Sequence, residues 1–289
     1  MCTEKMEADR DRAGMPVARR SFAALASAGA LLAALPVGAM GTRAIAGREV
    51  SVAAPDGSID AYFASPKEGK HPGVLIWPDI RGLRPAFRLM ADRLASDGYA
   101  VLCVNPFYRW EKSPVVTAAS DWGDPAVREK LFGYRRQMDI GTTQRDASAL
   151  IPFLDAQPEV DANRKLGVTG YCMGGPMTIW TAAQAPARIG AAASFHGGGT
   201  ATDGADSPHL LIPSTGAGYL FAIAEDDDAK DPEEKNLLAA ILKPRAQWHE
   251  VEVYPAQHGW CPPDGRVYDE TAAEKAWSRM LALFEAELG

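Results

Sequence analysis

The run Lys165-Leu-Gly-Val-Thr-Gly-Tyr-Cys-Met-Gly-Gly-Pro176 leaves a chain few ways to fold. An apolar, partly β-branched stretch, Leu166 to Thr169, ends in Gly170-Tyr171-Cys172-Met173-Gly174. Pro176 then opens a run of helical character, Met177 to Gln184. A strand that passes into a helix within so few residues must turn sharply. Glycines two places before and two after the central residue meet that need, because a side chain at either place would collide with the turn. Pro176 suits the first helical turn, where its missing N–H is not required. This setting exposes a nucleophile at the apex of the turn, and the residue at the apex is Cys172. A bare G-x-C-x-G also arises by chance, and the plain alternative is a buried structural cysteine beside a glycine-rich turn.

The surrounding chain alternates strands and helices. Glu49 to Ala54 and Ser58 to Ala64 read as a hairpin at a sheet edge around Pro55-Asp56-Gly57. Pro72 to Trp77 and Tyr99 to Val104 are continuous apolar runs, as expected of strands covered on both faces, with a helix over Ala86 to Asp97 between them. Asn105 to about Gln137 breaks the rhythm with prolines, aromatics and arginines. It reads as an excursion that walls a pocket, with a helix from Pro125 to Met138, or else as a surface loop with a solvated basic helix. Helices over Gly141–Gln157, Pro232–Leu242 and Tyr268–Leu288 and strands over Ile189–Phe195, Gly218–Ala224 and Trp248–Tyr254 complete the pattern. His196 to Pro213 is a polar, glycine-rich loop. The fold class is α/β, one domain over residues 47–289, with a mostly parallel sheet and helices on both faces.

Residues 1–46 do not read as fold. Val17-Ala-Arg-Arg-Ser-Phe22 is a twin-arginine pattern, followed by an Ala/Leu-rich run to Met40 and a small-x-small site at Ala44-Ile45-Ala46. Met15 is an alternative start. The apolar run is short for a membrane span, which favours a removable signal over an anchor and predicts an exported, periplasmic protein without stable membrane insertion. Removing residues 1–46 takes away six Lys/Arg and four Asp/Glu and moves the formal charge from −7 to −9. So acidic a chain argues against nucleic acid or anionic membrane as partner. Cys103, Cys172 and Cys261 remain. Their spacing makes neither a disulfide framework nor a metal site, and Cys103 lies in the apolar run Ala100 to Val104.

A thiol needs a base to become a thiolate, and the base needs a partner to fix its tautomer. In strand–helix architectures with an apical nucleophile, the acid and then the base follow in loops after later strands. Glu225-Asp-Asp-Asp228 follows the strand ending at Ala224, and Gln257-His258-Gly259 follows the one ending at Tyr254. His258 is therefore the candidate base and Asp227 the candidate orienter, with Asp226 as the other choice. Oxyanion donors fall to the backbone N–H of Met173 and of Ile80. A helix starting near Gly175 puts its N-terminus at the thiol, which favours the thiolate. His196-Gly-Gly-Gly199 comes after the elbow rather than before it, so it reads as loop, with a place in the pocket lining as the other choice; His71, His209 and His249 read as surface.

Trp77-Pro-Asp-Ile-Arg-Gly82, Asn105-Pro-Phe-Tyr-Arg109, Gly170-Tyr-Cys-Met-Gly-Gly175, Glu225-Asp-Asp-Asp228 and Gln257-His-Gly259 together resemble the dienelactone hydrolase family of α/β-hydrolases. The resemblance runs from Val52 to the end. It implies a Cys-His-Asp triad that cleaves a small lactone or ester through an acyl-enzyme, with neither metal nor organic cofactor. It further implies that Asp79 stands where the family has a glutamate contacting the resting thiol, and that Arg109 holds a substrate carboxylate. The family's second arginine falls where this chain has Trp260-Cys-Pro-Pro263, which leaves Arg81, Arg266 and Trp260 as candidates for that side of the pocket. The rival readings are a general carboxylesterase with a more apolar pocket and a non-catalytic binding or thiol protein using Cys172 and Cys261.

Overall fold

The computed structural model describes residues 41–117 and 122–289. The twin-arginine motif and the apolar run to Met40 lie outside the described residues. Eight strands form one sheet in the order β1-β2-β4-β3-β5-β6-β7-β8. Two antiparallel edge strands, β1 (Ile45–Ala54) and β2 (Gly57–Pro66), precede the parallel set of β3 (Gly73–Trp77), β4 (Ala100–Val104), β5 (Leu166–Tyr171), β6 (Ile189–Phe195), β7 (Gly218–Ala224) and β8 (His249–Tyr254). The expected hairpin is present and longer than its alternation suggested, because β1 begins at Ile45, paired with Pro66. A cut after Ala46 would remove only the first two residues of this edge strand.

Side chains of the inner strands alternate between two cores. Leu75, Trp77, Leu102 and Val104 face the layer of α3 (Ile140–Asp155), α4 (Gly174–Gln184) and α6 (Glu233–Leu242). Val74, Ile76, Val101 and Cys103 face α1 (Pro85–Ser96) and α7 (Glu270–Leu288). Burial on both faces is why these strands read as unbroken apolar runs. Cys103 is fully buried, and burial pushes its thiol up, so it is inert core as expected.

The excursion after β4 carries α2 (Pro125–Arg135), capped by Asp124 accepting from the Ala126 N–H at 2.8 Å. Its apolar side chains Val115, Val116, Val127 and Leu131 belong to the same core cluster as Cys172 and Met173. Trp110 stacks on Tyr134 at 5.1 Å. The basic face is tied down: Arg135 donates to the Met138 carbonyl and Arg136 to Glu129. The excursion is thus a packed wall over the Cys172 face. Two short helices were not foreseen: a 3₁₀ turn over Pro208–Ser214 in the glycine-rich loop, and α5 (Glu225–Asp228) in the acidic segment.

The order reverses between β3 and β5, since β4 lies on the other side of β3. Open parallel sheets bind ligands outside the strand C-termini at such a switch point. The loop after β3 and the turn after β5 meet there.

Candidate active site

Cys172 follows β5 with φ 55°, a left-handed conformation ordinary side chains rarely adopt. Its N–H donates to the Phe195 carbonyl of β6 at 3.0 Å, and its own carbonyl accepts from Gly175 at 3.0 Å. A Cβ on Gly170 would overlap the Gly174 carbonyl, and one on Gly174 would overlap the Trp77 carbonyl. The two glycines let the turn close on itself and let α4 dock on the end of β3. Trp77 Nε1 donating to Thr181 Oγ1 at 3.0 Å locks that docking. No side chain caps α4, so its first N–H groups face the turn.

The oxyanion candidates lie in the two loops joined by this contact. In the β3 loop, Gly82 N donates to Asp79 O at 2.9 Å and Arg81 N to Asp79 Oδ1 at 2.9 Å. Among the described residues neither the Ile80 nor the Met173 N–H donates to a protein acceptor. Both are free to bind a developing oxyanion.

His258 and Asp227 are in contact. The Nδ1–H of His258 donates to Asp227 Oδ2 at 2.6 Å. Asp226 Oδ1 instead accepts the His258 backbone N–H at 2.7 Å. Of the two aspartates left open by the sequence, Asp227 takes the ring and Asp226 the main chain. Glu225 accepts from Gln257 at the exposed edge of the β8 loop, and Asp228 accepts from Lys235 of α6, so three of the four acids fasten the β8 loop and the fourth ties to α6.

Other candidates are placed differently from expectation. Asp79 is clamped by Arg84, whose Nη1 and Nη2 donate to its two oxygens at 2.6 and 2.9 Å. Arg84 also donates to Asp264 from Nε at 2.7 Å and Nη2 at 2.9 Å, and Arg81 Nη2 approaches Asp264 at 3.2 Å. Burial alone would loosen the Arg84 proton, but the two carboxylates outweigh it and push it up. Both Asp79 oxygens are therefore held by Arg84, and Arg81 is shared with that network. Arg109 holds Asp146 bidentately at 2.9 and 2.7 Å and reaches Asp56 at 2.8 Å, stitching the hairpin tip to α3. Its guanidinium is thus paired with two carboxylates. Trp260 is fully buried, stacked on Tyr254 at 5.3 Å. Arg266 is exposed.

Sequence reasoning passed over Arg84, whose partner Asp264 is distant in the chain, and left His196 as loop or pocket lining with no role beside His258, where it stands just after β6. Only the position of His196 directly after a strand could have flagged it. His209, expected at the surface, is buried and bonded through Nδ1 to Ser207 Oγ at 2.7 Å. Glu234 is also buried, accepting from Thr200 N and Ala201 N to pin the loop after β6. Among the described residues no cluster of His, Cys, Asp and Glu is arranged to hold a metal, and no helix is long and apolar enough to cross a membrane.

The sequence model of the Dienelactone hydrolase family matches residues 59–288. Carboxymethylenebutenolidase 1 of Cupriavidus pinatubonensis is 25% identical over 227 residues, covering 78% of this chain and 91% of that protein. The carboxymethylenebutenolidase homolog of Xenopus tropicalis is 28% identical over 229 residues, covering 77% and 85%. Among solved structures, a dienelactone hydrolase-like promiscuous phosphotriesterase from metagenomic libraries aligns with a TM-score of 0.69 at 26% identity, covering 85% of this chain and 100% of that one.

Proposed function

The chain belongs to the dienelactone hydrolase family of α/β-hydrolases and is a lactone or ester hydrolase, and on that premise we propose how its own residues carry out the reaction. Cys172 is the nucleophile, His258 the general base and then acid, and Asp227 the orienter. The observation that carries this reading is the convergence of a strained elbow at Cys172 and the His258–Asp227 hydrogen bond at the C-terminal ends of β5, β7 and β8. His258 Nε2 takes the thiol proton, and the thiolate attacks the carbonyl carbon. The resulting oxyanion is bound by the N–H groups of Ile80 and Met173. Collapse breaks the C–O bond, His258 returns the proton to the leaving oxygen, and a thioester remains. Water, deprotonated by His258, then releases the acid and regenerates the thiol. The test is Cys172→Ala: turnover of p-nitrophenyl acetate is abolished while the circular dichroism spectrum and thermal midpoint stay close to wild type. Turnover retained in that variant removes the assignment.

A neutral ester or lactone fits the site better than an anionic one. Arg109 is committed to Asp146 and Asp56, Arg84 to Asp79 and Asp264, and the wall over the Cys172 face is apolar. This favours the general carboxylesterase reading over the carboxylate-binding one. A dithiol reading finds little support, because Cys172 and Cys261 are unbridged and Cys261 is buried with its thiol pushed well up by desolvation. We also place the enzyme outside the cytoplasm, on the twin-arginine pattern at Arg19-Arg20. Fusing residues 1–46 to a reporter that is active only after export tests this, and Arg19→Lys with Arg20→Lys should leave that reporter inside.

A further inference from the structure

Two residues among those described combine a side chain with left-handed backbone: Cys172 at φ 55° and His196 at φ 41°. The elbow accounts for the first. His196 directly follows β6, where a glycine would adopt the same conformation without strain. Its N–H donates to the Ala222 carbonyl of β7 at 2.8 Å, and the Phe195 carbonyl before it accepts from Cys172, so its backbone is fastened between the strands of the nucleophile and the acid. The ring is 1% exposed, and neither nitrogen has a hydrogen-bond partner in another described residue. It packs edge-on against His258, centroids 5.1 Å apart and planes at 64°, and against Trp260 at 5.0 Å and 67°. Strained backbone and an unpartnered buried polar ring are both unfavourable, and such costs persist where a site uses them.

We propose that His196 is a positioning residue for the general base: its imidazole forms a dry, polar floor beneath His258 that holds the ring on Asp227 and stabilises the protonated form. This rests on the triad read above. During the reaction a proton passes from Cys172 Sγ to His258 Nε2 and on to the leaving oxygen, and His196 neither gains nor loses one. Water under His258 would also stabilise the charge, but it would let the ring turn; a fixed dipole supplies polarity already oriented. Burial, and secondarily the nearness of His258, pushes His196 well below the usual histidine range, so it does not compete for the proton. The other charged and titratable groups around the pair are Asp227 on the Nδ1 side, Asp226 under the His258 backbone, Lys230 against both aspartates, Cys172 at the elbow, and Tyr171 and Tyr254 beside the His196–Trp260 contact.

The test compares wild type with His196→Phe, His196→Leu and His196→Asn. It reads kcat and KM for a p-nitrophenyl ester across pH, alkylation of Cys172 by iodoacetamide across pH, and the thermal midpoint. Phe and Leu remove the dipole and keep an apolar filler. They are expected to stay folded, to lose about tenfold in kcat at unchanged KM, and to move the acid limb down by about one pH unit, equivalent to about 1.4 kcal/mol. Asn tolerates left-handed backbone and restores a neutral dipole, so it should return the limb most of the way to wild type. If Phe does not fold, Leu carries the comparison. A wild-type limb in the folded apolar variant, or an equal displacement in Asn, overturns the proposal while the triad stands. Turnover surviving in Cys172→Ala overturns the triad and the proposal together.

Discussion

Asp79→Asn separates an ion pair from a thiol switch. Asp79 accepts from both terminal nitrogens of Arg84, at 2.6 and 2.9 Å, in a place where the Arg84 side chain is 3% exposed. An asparagine keeps one oxygen for Arg84 or the Arg81 N–H but turns an amide donor toward the other guanidinium nitrogen. One charge-assisted hydrogen bond is lost outright, worth about 1.5–3 kcal/mol, and the other is weakened. Arg84 keeps Asp264 through two contacts, so the loss stays below the roughly 3–5 kcal/mol of a buried charge left with no partner. The expected destabilisation is about 2–3 kcal/mol, which for a domain of this size lowers the thermal midpoint by about 4–12 °C. Thermal unfolding by circular dichroism at neutral pH measures it, and iodoacetamide alkylation of native Cys172 measures the thiol. Alkylation should change less than about threefold, since both Asp79 oxygens are engaged by Arg84. A midpoint within a degree of wild type, together with a tenfold change in alkylation, would refute the ion-pair account and return Asp79 to the thiol.

Asp227→Asn should lower kcat by about two to four orders of magnitude at little change in KM, because the wrong His258 tautomer is stabilised; steady-state kinetics on a p-nitrophenyl ester checks it. Arg109→Met leaves the buried Asp146 with only Tyr108 and should destabilise by about 3–5 kcal/mol. Per folded molecule it should slow an anionic lactone and a neutral ester by the same factor, and selective loss of the anionic substrate would show that Arg109 binds it. Glu234 is raised above the usual carboxylate range by burial, against the pull of its Thr200 and Ala201 donors. A raised acid contributes stability that is full below its unfolded value, about 4.3, and lost as pH rises through the folded one. Glu234→Gln should therefore flatten that part of the stability–pH curve, and midpoints measured from pH 4 to 8 will show whether it does.

Much of this protein is written in short stretches of its sequence. The buried strands announce themselves because burial on two faces demands continuous apolar runs, and Ile189–Phe195 and Gly218–Ala224 were legible to the residue. The elbow is legible for a similar reason: a turn in which Gly170 touches the Gly174 carbonyl admits no other residue, so the constraint is local and its signature contiguous. His258 and Asp227 could be nominated because parallel topology delivers the ends of successive strands to one edge.

What sequence could not assign was the use of each charge. Arg109, Arg81 and Asp79 all stand where a site residue belongs, but a charge in a low-dielectric interior is claimed by whichever opposite charge the fold brings near. Those partners, Asp146, Asp264 and Arg84, come from other elements. His196 and His209 misled in the same way, since a polar residue in a glycine-rich segment reads as solvated until packing shows it dry. The sequence by itself determined the strands, the elbow and the order of nucleophile, acid and base, because those depend on backbone geometry and periodicity within a few residues. The pairing of charges and the burial of polar rings were decided by the tertiary structure, because they depend on contacts between residues that the chain keeps far apart.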